Sequence, residues 1–438
     1  MILAPGNRLL FWVAALLPFA AAGALIPAAV PLAVVLFAAL FAAAAIDAAR
    51  GWQATRGVTV SLPDTLRLSR SRAGAIPLRV RSVEARELRV GVPLPPSFQS
   101  ESDAVSLRLP GDGQDFAASW VCTPATRGRF LVERCYFEVP SPLSFWTARG
   151  SSPCRLEIRV YPSLLGERKR LAGYFLNRGA FGIHPQRMVG HGRDFEKLRE
   201  YIPGDNYEDI HWKATAKRGH PITKLYQVER TQEIYVAVDT SRLSARASGS
   251  EPALERFIAG SLVLGLAAEQ QGDLFGIITF DDRVRQFIRA SNGRHHYNVC
   301  RDTLYTLSPA MATPDFGELF SFARLKLRRR SLIVILTDLN DPLLSESFLR
   351  HVGLVCRHHL VLVAMIQPGD VRPLFSTPDA DSTDSLYRNL GGHMIWCKVR
   401  ELGRALSHSG VAFSAVSDER LSAELVSQYV GIKARQSL

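Results

Sequence analysis

The stretch Glu233-Ile234-Tyr235-Val236-Ala237-Val238-Asp239-Thr240-Ser241-Arg242-Leu243-Ser244 decides the fold of the longer part of the chain. From Ile234 to Val238 it is continuously apolar and it ends on an aspartate, the pattern of a strand buried on both faces. Downstream the period alternates. Residues 253–271 read as an apolar helix closed by Gly272, and 274–280 and 284–288 as hairpin strands around Asp281-Asp282-Arg283. Helices are expected near 295–307 and 316–327, then a buried strand over 332–336 ending at Thr337-Asp338. A helix over 344–358, a strand over 360–366, a helix over 386–408 interrupted at Gly391-Gly392, a strand over 412–416 and a helix over 421–430 complete the series. Apolar strands alternating with helices predict a mostly parallel, doubly wound α/β domain over residues 233–438.

Working toward the amino terminus, residues 57–165 change character. Segments such as Ile76-Pro77-Leu78-Arg79-Val80-Arg81 and Leu156-Glu157-Ile158-Arg159-Val160 alternate apolar with polar between Gly, Pro and Ser clusters, as sandwich strands do. Before them, residues 1–50 read as a membrane anchor. No charged residue occurs from Leu9 to Ile46, nearly twice the roughly 20 positions one span requires. Two helices over 9–22 and 31–46, joined by a tight turn, satisfy the backbone internally. Arg8 precedes the first, Arg50 and Arg56 follow the second, and the turn has no Lys or Arg, which places both ends in the cytoplasm. A cleaved signal peptide is the rival reading, given Ala20-Ala21-Ala22-Gly23-Ala24, but it leaves the second apolar stretch unexplained. The chain as a whole is therefore an expected α+β multidomain protein of 438 residues. Its six cysteines are far apart with no Cys-x-x-Cys pair, which fits reduced thiols better than a zinc site or disulfide framework. The net charge of +12 is dispersed and no nucleic-acid motif accompanies it, so an anionic membrane surface accounts for it and no nucleic-acid partner is expected.

Residues 166–232 form a connector and a distinctive segment. It runs Gly192-Arg193-Asp194-Phe195-Glu196-Lys197-Leu198-Arg199-Glu200-Tyr201-Ile202-Pro203-Gly204-Asp205, and then through Ile210-His211-Trp212-Lys213-Ala214 to Gly219. This mixture of charged, aromatic and glycine positions resembles the signature of the bacterial "domain of unknown function 58" family. Arg127-Gly128-Arg129-Phe130, the segment 140–145 and Val160-Tyr161-Pro162 are similar to further marks of that family, although Ser141-Pro142-Leu143-Ser144-Phe145 lacks its usual glycine. The resemblance implies an immunoglobulin-like β-sandwich over 57–165 and a von Willebrand factor A-like domain over 233–438. It also implies a two-pass protein of the bacterial inner membrane with cytoplasmic C-terminal domains. Arg199, Asp205 and Trp212 admit two readings. One is a partner-docking surface. The other is local structure, with Trp212 packed on the adjacent sheet and Arg199 paired to Asp205, and large aromatics more often pack.

Domains similar to von Willebrand factor A hold a divalent cation beyond the carboxyl ends of their strands, through Asp-x-Ser-x-Ser, a loop threonine and a distal aspartate. Asp239, Ser241, Thr313 and Asp338 match these positions, whereas Leu243 stands where the second serine belongs and Ser244 is one position out of phase. Carboxylates, hydroxyls and waters suit Mg²⁺ or another divalent cation. An aspartate capping a turn with no metal is the alternative. No phosphate-binding loop, His-Glu-x-x-His or Gly-x-Ser-x-Gly motif occurs, so no catalytic residue is assigned and an enzyme is not expected. The resemblance implies a membrane-anchored adaptor for protein–protein interaction, working with a MoxR-type AAA+ ATPase in the assembly or maturation of client complexes. A divalent-metal hydrolase using Asp239 and Asp338, or an envelope structural and binding protein, are the alternatives.

Overall fold

The structure, a computed structural model, describes residues 2–26, 30–82, 87–109, 114–164, 166, 189–190, 194–203, 205–227, 231–248, 251–367, 371–374, 376 and 382–435. Residues 27–29 of the turn expected between the two apolar helices, most of the connector, Gly192, Arg193 and Gly204 lie outside the described residues, while Gly23, expected in that turn, is helical. Two compact units, Met1–Ser163 and Leu164–Leu438, are each taken by themselves.

The first unit contains, in chain order, β1 (Ile2–Pro5), α1 (Asn7–Leu25), α2 (Val30–Arg56), β2 (Thr59–Ser61), β3 (Thr65–Ser69), β4 (Gly74–Arg81), β5 (Glu87–Gly91), β6 (Phe98–Ser100), β7 (Val105–Arg108), β8 (Asp115–Pro124), β9 (Gly128–Pro140) and β10 (Trp146–Tyr161). One sheet has the order β1-β10-β9-β5-β7 with β3 also on β10, and the other the order β2-β4-β8-β6. The alternation puts Ile76, Leu78 and Val80 of β4 and Leu156, Ile158 and Val160 of β10 into one shared apolar core. The register of β9 against β10 shifts between Pro153 and Leu156, where a proline that cannot donate to the ladder interrupts pairing.

The second apolar helix does not end at Ile46. It runs unbroken to Arg56, because Asp47, Gly51 and Thr55 are buried within this unit rather than left in solvent. Among the described residues α2 is the one helix long and apolar enough to cross a membrane, and the apolar stretch Asn7–Ala22 of α1 is shorter.

The second unit begins with β11 (Val189–Gly190), β12 (Asp194–Glu200), α3 (Trp212–Arg218) and β13 (Ile222–Gln227), whose strands pair in the order β11-β13-β12. Gly219 ends α3 with φ 76°, the left-handed conformation that glycine adopts without a Cβ clash. The main sheet and its helices follow: β14 (Glu233–Asp239), β15 (Ala247–Ser248), β16 (Glu251–Pro252), α4 (Ala253–Gln270), β17 (Leu274–Phe280), β18 (Val284–Ser291), α5 (Arg294–Leu304), α6 (Phe316–Lys326), β19 (Ser331–Leu336), α7 (Pro342–Cys356), β20 (Leu360–Ile366), α8 (Thr383–His408), β21 (Val411–Val416) and α9 (Leu421–Ala434). The order is β18-β17-β14-β19-β20-β21, parallel except for the antiparallel edge strand β18. Alternate residues of β14 serve different layers. Ile234, Val236 and Val238 pack with Ile258 and Leu262 of α4 and Leu421 and Tyr429 of α9. Tyr235 and Ala237 pack with Phe316 and Phe320 of α6 and Phe348 of α7. That two-sided burial is why the strand is apolar throughout. One expectation fails: α8 is continuous through Gly391-Gly392. Glycine costs only about 1 kcal/mol in a helix interior, and the Ser382–Ser385 capping box and the later burial of Val399, Leu402 and Leu406 favour continuation.

Candidate functional site

The chain leaves β14 toward β17 on one side and reaches β19 on the other, so the carboxyl ends of β14 and β19 flank the point where strand order reverses. Open α/β sheets bind ligands at such a crevice. Asp239 ends β14, fully buried. Its Oδ1 accepts from the Ser241 amide at 2.8 Å and its Oδ2 from the Thr337 hydroxyl at 2.6 Å. Burial raises the Asp239 pKa, hydrogen bonds from Thr337 and Ser241 oppose the rise, and the charge of Asp338 adds to it. Ser241 is also buried and caps the short 3-10 turn Arg242–Ala245, its Oγ accepting from the Leu243 amide at 3.3 Å. Ser244 donates to the Ser241 carbonyl at 2.7 Å, consistent with its being out of phase, and Leu243 is buried and supplies no oxygen.

Asp338 follows β19. Its Oδ1 accepts from the amide and side chain of Asn340 at 2.9 and 2.6 Å, and its Oδ2 pairs with the Arg246 guanidinium at 2.8 Å. The loop carrying Thr313 is laced to the same end of the sheet: Ala310 N donates to Thr240 O at 2.7 Å and Arg242 N to Ala312 O at 2.9 Å. Thr313 itself is exposed and lines an open depression of about 650 Å³ with Asp282, Asp315, Glu318 and His351. Among the described residues, those lining that depression include neither Asp239, Ser241 nor Asp338.

As arranged, both aspartates are engaged within the protein, Asp239 by Ser241 and Thr337 and Asp338 by Asn340 and Arg246. Leu243 supplies no hydroxyl, Thr313 is exposed at the depression, and the Arg246 guanidinium pairs with Asp338. Among the described residues no cluster of three or more His, Cys, Asp and Glu has metal-binding geometry. Sequence reasoning brought Asp239, Ser241 and Asp338 to one end of the sheet but missed Thr337 and Arg246. Thr337 was visible as the neighbour of Asp338, whereas nothing local signals an arginine pairing across 92 positions.

In the distinctive segment, Asp205 accepts from the Ile202 amide at 3.1 Å, the Arg199 guanidinium at 2.8 Å and the Thr223 hydroxyl at 3.3 Å. The Ile202 hydrogen bond, with the Arg199 charge and the other donors, holds its pKa below the ordinary carboxylate value. Arg199 and Asp205 thus pair locally. Trp212 does not pack as the structural alternative expected: it is 68% exposed, because α3 is a short helix capped by His211 that turns this residue outward. Tyr207 is exposed as well, its ring stacked 6.1 Å from that of Tyr201.

Residues 197–374 match the family described as "Protein of unknown function DUF58". An uncharacterized protein of Mycobacterium tuberculosis is 24% identical over 192 residues, which is 43% of this chain and 60% of that relative. The chain therefore spans less than two thirds of the curated relatives it matches. Among solved structures, the conserved hypothetical protein BatB from Bacteroides thetaiotaomicron is 16% identical, with a TM-score of 0.29 over 46% of this chain and 99% of that one. An aerotolerance-related membrane protein from Bacteroides fragilis is 16% identical, with a TM-score of 0.30 over 45% of this chain and 99% of that one.

Proposed function

We propose that this chain, which carries the DUF58 segment, is a membrane-tethered adaptor that docks another protein on the carboxyl-end face of its α/β domain. The observation that carries the reading is the composition of that face. Asp338, half-buried and paired with Arg246, is flanked by exposed apolar residues on either side: Met311, 96% exposed, in the loop bonded to Thr240 and Arg242, and Leu343 in the first turn of α7. Isolated exposed apolar side chains are common, but here two stand beside a charged, hydrogen-bonded rim, the usual pairing of apolar contact with polar orientation. The family resemblance supplies the partner class, a MoxR-type AAA+ ATPase, and clients among complexes undergoing assembly or maturation. We read the first unit as an immunoglobulin-like sandwich and the second as von Willebrand factor A-like.

The tether reading is supported by the placement of the helix feet. β1, just before α1, pairs with β10, and α2 is held by the turn that leads into β10, so both ends of a hairpin would lie on one side of the membrane. With Arg8, Arg50 and Arg56 at those ends, that side is the cytoplasm by the positive-inside rule, giving a two-pass protein of a bacterial inner membrane. A divalent cation comes second: Mg²⁺ or a similar ion occupies the face only where Arg246 releases Asp338.

The hydrolase alternative is tested by activity. The full chain in detergent, with Mg²⁺ or Mn²⁺, is expected to turn over neither nucleotides nor simple esters. Metal-dependent hydrolysis that Asp239→Ala removes would replace the adaptor reading.

A further inference from the structure

The turn from Ser141 to Trp146, between β9 and β10, is gripped by the feet of both apolar helices. Gly6, which precedes α1, donates its amide to Phe145 O at 2.7 Å, and a Cβ there would meet Ser144 O at 2.6 Å. Asp47 of α2, buried, accepts from the Leu143 amide at 2.9 Å, the Phe145 amide at 3.1 Å and the Ser141 hydroxyl. The Trp146 indole donates to Ala44 O at 2.9 Å.

We infer that this turn is seated in the lipid headgroup layer, with Pro142 and Leu143 entering the bilayer interface as a third membrane contact. The inference rests on the membrane-tether reading above. The uncharged stretch begins at Leu9 and ends at Ile46, so the hydrocarbon border lies beside these residues. Gly6 and Asp47 are each within one helical turn of that border, about 5 Å along the axis. The headgroup layer is itself about 5–7 Å deep on each side. A turn bonded to both feet therefore lies inside it.

Two features of the turn suit that depth. A backbone near hydrocarbon must have its donors paired. Ser141 N donates to Trp146 O at 2.8 Å, Ser144 N to Ser141 O at 2.8 Å and Trp146 N to Ser141 Oγ at 3.0 Å, while Asp47 takes Leu143 N and Phe145 N and Pro142 has no donor. The side chains left outward are apolar: Pro142 is exposed and Leu143 is 49% exposed, although no polar group of the turn needs them there. Trp146, with its amphipathic ring at the helix foot, is a residue type enriched at membrane interfaces. The occupant of this exposed apolar tip is the bilayer, because the two helices that would span it start from the same tip.

The test uses the full chain in nanodiscs made with acyl-brominated phospholipid, in two variants that each add one tryptophan at an exposed site. Leu143→Trp places it on the turn. Leu131→Trp places it on β9 near its far end, about 30 Å away at the rise of an extended strand. Subtracting the wild-type emission isolates the added residue. The greater part of the Leu143→Trp emission is expected to be quenched by brominated lipid and inaccessible to iodide, with the reverse for Leu131→Trp. If the chain floats with vesicles but both probes behave as solvent-exposed, the seating is overturned and the tether stands. Lipid quenching of both overturns a seating specific to this turn. A chain that fails to float with vesicles overturns both readings.

Discussion

Replacing Asp47 by alanine is the most exacting test of how the apolar helices are joined to the sheet that carries β9 and β10. The carboxylate is buried and receives two backbone amides and one hydroxyl. Hydrogen bonds to a charged group contribute about 1.5–3 kcal/mol each, and a buried donor left unpaired costs about 1–3 kcal/mol. Taking only the lower figure for three contacts gives about 4–5 kcal/mol of local stabilisation, nearly all of it in the turn and the adjoining end of α2. Hydrogen exchange measured by mass spectrometry on the full chain reads this directly. In Asp47→Ala, peptides covering Ser141–Trp146 are expected to exchange about 1,000-fold faster, since each 1.4 kcal/mol is a factor of ten. Peptides of β14 and β19 in the second unit should be unchanged. Asp47→Asn retains an acceptor oxygen and should fall between. Exchange in the turn that is indifferent to Asp47→Ala would refute the claim that this carboxylate fixes the helix to the sheet.

Other consequences concern the ion pair, the turn and the acid limb. With Arg246→Ala, Asp338 loses its guanidinium, so Mg²⁺ at 100 times its Kd is expected to stabilise the variant by about 2.7 kcal/mol and to raise its melting temperature more than that of wild type; no rise in either protein means that the face holds no cation. Ser144 has φ 58°, a left-handed conformation costing a non-glycine residue about 1–2 kcal/mol, so Ser144→Gly should stabilise the first unit by about 0.5–1 kcal/mol in denaturant unfolding after the added chain entropy of glycine is offset. Asp205 has a folded-state pKa below its ordinary value of 3.8. Its contribution is therefore present above that value and lost as pH falls through the depressed pKa. Asp205→Asn should show a shallower loss of stability than wild type in that acid window, and parallel acid curves would contradict this.

Much of the second unit was legible because burial and sequence agree there. β14, β19 and β20 sit between two helical layers and carry almost nothing but apolar residues, so their period and bounds could be read directly. The first unit was harder. β1 is four residues long and is recognisable only through its partner β10, far along the chain. The end of α2 was misjudged because Asp47, Arg50 and Gly51 look like an exit from the membrane into loop. They remain helical because the turn between β9 and β10 supplies partners for Asp47 and a close contact for Gly51, whose Cβ would meet Ser141 Cβ at 3.2 Å. In the candidate site, the strand-end aspartates were visible as local patterns. The Arg246–Asp338 pair was not, since it is a product of tertiary closure, and the outward turn of Trp212 reverses the usual burial preference of a large aromatic.

The central claim is that the carboxyl-end face docks a protein. The direct measurement is the affinity of the full chain in nanodiscs for a MoxR-type AAA+ ATPase on a biosensor surface, for wild type, Asp338→Ala and Trp212→Ala. The account predicts an affinity of about micromolar, weakened about tenfold or more by Asp338→Ala, as expected for an interface anchor, and little changed by Trp212→Ala. Absence of binding, or binding lost with Trp212→Ala and kept with Asp338→Ala, would contradict it.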